Sequence, residues 1–169
     1  MHHKRLIAVL CLALPLAVLP AACVTVPQYD ATTDSAISAV QREIDGRLVT
    51  LISAAESTDP AVRQSASFAR NAAFYDQVDS DLVALAMRME AVQDRSTANL
   101  PQFFANLAQQ MSNLKAAHKT DDIIPGPVVA ITRKQLNANF AVLLTYELSL
   151  KGVASAGKAS TTSTATATQ

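Results

Sequence analysis

Between Asp30 and Lys151 the apolar residues recur at steps of three and four, in four stripes separated by turn-forming residues. That period is the signature of an amphipathic helix and is incompatible with a strand, whose side chains alternate. The first stripe, in a helix over 30–57, is Ile37, Val40, Ile44, Leu48, Leu51, Ile52 and Ala55. Asp30, Thr33 and Asp34 supply its cap and first turn. Thr58-Asp59-Pro60 then breaks the chain, with Asp59 suited to an N-cap and Pro60 to the first helical position.

The second stripe is Val62, Ala66, Ala69, Ala73, Leu82, Leu85, Met89 and Val92, slipping around Asp76–Ser80. This predicts either one long helix bent there or two closely joined helices. A polar stretch from Ser96 precedes Pro101, and a third helix carries Phe103, Phe104, Leu107, Met111 and Leu114 to an end near Lys119. Pro125-Gly126-Pro127 is a strong breaker. The fourth helix, over 128–151, has the stripe Val129, Ile131, Leu136, Phe140, Leu143, Leu144 and Leu148, and Gly152 is the expected stop. The chain has only 4 glycines, few for hairpins, and no Trp. An all-α, up-down bundle of about four helices over 30–152 is the expected fold. Residues 153–169, rich in Ala, Thr and Ser without a stripe, are expected to be a disordered tail.

The first 22 residues have the layout of a signal peptide. Lys4-Arg5 is a positive start, Leu6–Leu19 an apolar run broken by Pro15, and Ala21-Ala22 the small residues of a cleavage point. The run is short for a spanning helix, which needs about 20 residues. Pro20-Ala21-Ala22-Cys23 resembles the lipobox of bacterial lipoproteins, departing from it at Pro20, where the box carries Leu, Val or Ile. Membership implies a diacylated Cys23 thiol, cleavage just before it and acylation of the new amino group, with residues 23–29 as lipidated cysteine and short tether. The alternative is cleavage by ordinary signal peptidase. Val24, where an Asp would resemble an inner-membrane retention signal, implies an outer-membrane, periplasm-facing protein.

Loss of the signal would remove Lys4 and Arg5, taking 14 basic residues to 12 against 14 acidic ones, a net charge of −2. No basic stripe remains for nucleic acid. The other cysteine, Cys11, lies in the signal, so no disulfide framework is expected.

Few residues carry chemistry. His118 is the only histidine after the signal and sits at a helix end beside Lys115 and Lys119, where a positive charge suits the helix dipole. One histidine supports neither a zinc site nor, with Cys23 acylated, a cysteine–histidine pair. Met87, Met89 and Met111 with His118 would be the haem ligands to consider, yet methionines on a stripe are core residues. Asp76, Asp79 and Asp81 lack the spacing of a calcium loop. No cofactor or metal is expected. Phe68, Phe74 and Tyr75 lie partly off the second stripe and with Val78 form a candidate exposed partner patch. The expected function is therefore non-enzymatic: a membrane-anchored interaction or structural module with a protein partner. The alternative is a carrier that holds an apolar or small ligand between its helices, marked by a cavity flanked by Met and Phe.

Overall fold

The computed structural model describes residues 28–92 and 100–165, with side chains described to Val153. Among these residues the regular structure is helix alone, and four long helices form the bundle. They are α1 (Ala31–Ala55), the single turn α2 (Pro60–Gln64), α3 (Phe68–Ala91), α4 (Leu100–Asp121) and α5 (Gly126–Ala165). Each long helix packs on its two neighbours in the ring α1, α3, α4, α5. Cross-helix bonds fix the directions. Gln41 pairs with Asn137 and Asp45 with Arg133, so α1 and α5 are antiparallel. Asp76 and Asp79 meet Lys115, and Phe68 meets Asp122, so α3 and α4 are antiparallel.

The α1 start follows from its cap. The Asp30 carboxylate accepts from the Thr32 N–H at 3.1 Å and the Thr33 hydroxyl at 2.6 Å, and Arg88 of α3 reaches it at 2.9 Å. The Thr33 hydrogen bond first, and the guanidinium besides, hold the Asp30 carboxyl far below the usual carboxylate range. From there Ile37, Val40, Ile44, Leu48 and Leu51 enter the core as the spacing predicts. Each buried Leu or Ile stabilises the fold by about 1.5–3 kcal/mol.

The second segment corrects the expected register. The helix breaks at Ser65–Ser67, and α3 runs unbroken through Asp76–Ser80. The break resets the helical phase. Asn71, Phe74, Tyr75, Val78, Leu82, Leu85 and Met89 form the buried face, whereas Ala69 and Ala73 point outward.

Side chains satisfy the backbone groups freed by that break. Asn71 Nδ2 donates to the carbonyls of Ser65 and Ser67 at 3.0 and 2.9 Å. The Phe68 N–H donates to the Asp122 carbonyl at 2.8 Å and is shared with its carboxylate at 3.1 Å. Asp122 follows the last residue of α4 in the left-handed region, φ 58°. It thus ends one helix and caps another.

In α5 the buried face is Val129, Leu136, Phe140, Leu143, Glu147 and Leu150. Ile131 and Leu148, expected on that stripe, are 62% and 59% exposed, because at about 100° per residue both lie more than a quarter turn off the seam. The helix does not stop at Gly152. That glycine has no positive φ, so nothing there turns the chain, and the backbone stays helical to Ala165. The tail expected to lack structure is therefore helical over 153–165. At Gly126 the Glu56 side chain lies against the first turn of α5, and a Cβ there would push its flexible carboxylate end aside.

Candidate functional site

A concavity of about 680 Å³ lies between the C-terminal half of α3 and the N-terminal half of α4. Its floor is Leu82, Met89, Leu100 and Phe104, all buried. Its walls are low because they are built from small side chains: Ala86 on α3, and Ala105 and Ala108 on α4. Val83, 59% exposed, borders it on α3. Asp79 and Ser112 stand at one end, Glu90 and Pro101 at the other. From Asp79 to Glu90 the helix rises about 16 Å. Two antiparallel helices thus carry large residues beneath and alanines at the rim, which leaves a long apolar trough open to the surface.

One end of the groove is polar, and the other lies toward the bundle end at which α1 starts. Lys115 reaches Asp76 at 2.8 Å and Asp79 at 3.2 Å, and these hydrogen bonds, the Asp76 one foremost, raise its pKa. At the bundle end where α1 starts, Arg88, about 160° around α3 from the groove lining, binds Asp30 and the Thr33 hydroxyl of α1. Tyr29 is pinned there too. Its hydroxyl donates to Asp34 at 2.9 Å, which raises the phenol pKa, and Lys151 Nζ lies 5.7 Å from its ring centre. Tyr29 therefore lies against α1 and α5, whereas the groove lies between α3 and α4.

The candidate partner patch is not a surface. Tyr75 is 1% exposed, Phe74 6% and Val78 0%, and Phe68 is half-buried against the same core. They looked off-stripe because the sequence stripe was in the wrong phase ahead of the Ser65–Ser67 break. Phe68, Phe74 and Tyr75 instead surround the break together with His118, with ring centres 5.2–6.2 Å apart.

His118 itself is 1% exposed, in phase with Phe104, Leu107, Met111 and Leu114, and is not the surface charge its position suggested. Its Nε2 lies 2.7 Å from the Ala66 carbonyl and its Nδ1 2.8 Å from the Tyr75 hydroxyl. A carbonyl only accepts, so Nε2 carries the proton, and Nδ1 accepts from Tyr75. Burial pushes the Tyr75 phenol well above its ordinary value, which keeps it a donor. With both ring nitrogens engaged, His118 has no lone pair for a metal and no free nitrogen for proton transfer. Met89 and Met111 are core residues, whereas Met87 is 66% exposed.

The acidic residues around Asp79 are bound across or along helices: Asp76 and Asp79 by Lys115, Asp81 by Gln77 at 3.0 Å. No group of three or more metal-ligating side chains occurs among the described residues. None of the described helices is long and apolar enough to cross a membrane. Cys23 lies outside the described residues.

Sequence reasoning did not find the groove. Its signal was the run Pro101, Ala105, Ala108, Ser112, small residues at helical spacing beside the Phe104–Leu107 stripe. Comparison of the chain with family models, curated proteins and solved structures finds no significant match.

Proposed function

We propose that this chain is a non-enzymatic binding module, held by lipid on Cys23 at the periplasmic face of the bacterial outer membrane, whose α3–α4 groove takes an apolar chain-like ligand. The observation that carries the ligand reading is the groove. Its volume of about 680 Å³ falls within the roughly 300–1,000 Å³ of ligand pockets. Met89 and Phe104 flank it, and its length and shape suit an extended hydrocarbon. The anchor reading draws on the lipobox-like Pro20-Ala21-Ala22-Cys23, and the outer-membrane reading on Val24. The non-enzymatic reading draws on His118, the one imidazole after the signal, being fully engaged in the core.

The interaction-module reading loses its aromatic patch to the core, so the carrier reading is preferred. Titration of a fluorescent fatty acid into the chain from Val24 onward tests it. Saturable binding, lost in Ala105→Trp with the melting temperature unchanged, is the expected result. Non-saturable partitioning, or equal binding by the variant, refutes it.

A further inference from the structure

We infer that the outer face of the α4–α5 pair, away from the α3–α4 groove, docks a second copy of this chain in a two-fold symmetric dimer. The face is built from two seams. On α4 it is Gln102, Asn106, Gln109, Asn113, Ala116 and Thr120, and on α5 Val128, Ile131, Gln135, Ala138, Val142, Thr145 and Ser149. Both seams alternate steps of three and four, the spacing by which one helix packs along another. All of these residues but Asn106 are exposed, Ile131 at 62% and Val128 and Val142 at 44% each. At about 100° per residue the α4 seam lies away from the Lys115 flank that meets α3, and the α5 seam away from the Arg133 flank that meets α1. The two seams therefore lie side by side. A water-facing helix surface normally carries charge. Neither seam carries any, and Lys134 stands only at the margin.

Three properties select a copy of the same chain as the occupant. A two-fold interface sets a surface against itself, so a charged face would meet its own sign, and this face has no charge to repel. Its polar groups are amides, with Gln102 donating to Asn106 at 3.1 Å and Gln109 to Asn113 at 2.8 Å. An amide holds two N–H donors and an acceptor oxygen, so a row of amides matches a second such row in either direction. The helix directions match as well. Consecutive and packed, α4 and α5 are antiparallel, so a two-fold axis in the interface plane, along the helices or across them, sets every helix against an antiparallel one. The face is about 30 Å long and about 20 Å wide for two helices side by side. That outline is about 600 Å² per copy, or about 1,200 Å² for two, which reaches the size of a stable interface.

Sedimentation equilibrium of the chain from Val24 to Gln169, which contains every described residue, tests this. The expected result is a monomer–dimer equilibrium with a dissociation constant on the order of 10 µM. The dimer should not weaken between about 50 and 500 mM NaCl, because no ion pair holds it. Below that concentration the face meets water, and denaturation of dilute chain reads the single bundle. Ile131→Lys with Val142→Lys should raise the dissociation constant about tenfold or more with the helical circular dichroism of the monomer unchanged. Gln135→Lys repeats the test without removing an apolar side chain. Met87→Lys, on α3 and 66% exposed in the wild type, should leave the dimer as it is. A single-copy mass up to about 200 µM overturns the inference. So does a mass that grows past two copies, a dimer that survives the lysines on α5, or one that Met87→Lys dissolves.

Discussion

The imidazole of His118 donates to the carbonyl of Ala66 at 2.7 Å, joining the last turn of α4 to the break between α2 and α3 across 52 residues of sequence. That carbonyl is freed by the break, and Phe68 and Tyr75 pack their rings against the imidazole, so His118 acts as a structural cap. Replacing His118 by Leu orphans both the Ala66 carbonyl and the Tyr75 hydroxyl. Each orphan costs about 1–3 kcal/mol. Tyr75→Phe orphans only Nδ1 and should cost about 1–3 kcal/mol. Urea denaturation of both variants and the double mutant should give a double-mutant cost below the sum, because the residues share one network. Strict additivity would show that the bonds are not coupled.

The α1–α5 seam is expected to respond to acid. Arg133 grips Asp45 through two bonds, at 2.7 and 2.9 Å, and Asn137 adds a third at 2.6 Å. These, the Arg133 bond foremost, lower the Asp45 carboxyl pKa, as the Thr33 and Arg88 contacts lower that of Asp30. A carboxyl with a depressed folded pKa binds its proton more readily in the unfolded chain. Its stabilisation is therefore complete above about pH 4 and is lost as pH falls through the folded value. Melting temperatures measured from pH 6 to pH 2 should fall in acid. Asp45→Asn should melt lower at pH 6 and lose less on acidification. An equal acid slope in wild type and variant would count against the pair.

Gly152 distinguishes a helix that continues from one that stops. No heavy atom lies within 4 Å of a Cβ placed there, and its φ is not positive. Gly152→Ala should raise stability by up to about 1 kcal/mol. A lowered melting temperature would mean that the glycine turns the chain.

The stripes from Ile37 to Leu51 and from Phe104 to Leu114 were legible because each lies in a helix whose phase is unbroken. The phase of α3 was not, since Thr58-Asp59-Pro60 advertises a break but Ser65–Ser67 does not. Reading through the serines placed Ala69 and Ala73 inside and the aromatic residues outside. His118 kept perfect spacing with Leu114, yet its side chain reads as a charge until its two partners are seen. The groove depended on alanines, which periodicity scores as weakly apolar wherever they point. The link between Asp30 and Arg88 joins residues far apart in sequence, and no local pattern marks it.

Leu143 and Ile131 test the seam of α5. Leu143 is 0% exposed and Ile131 62% exposed. Leu143→Ala should cost about 2–5 kcal/mol, and Ile131→Ala should fall within about 0.5 kcal/mol of wild type. The reverse order in chemical denaturation would rotate the buried face.

The proposed membrane anchor depends on Cys23. The direct measurement is the mass of the N-terminal peptide of the protein purified from membranes, alongside fractionation of Cys23→Ser. The account predicts a mature chain that begins at Cys23 and carries acyl mass, and a variant that leaves the membrane fraction or persists as uncleaved precursor. An N-terminal peptide with no lipid mass, with the variant fractionating as wild type does, would contradict it.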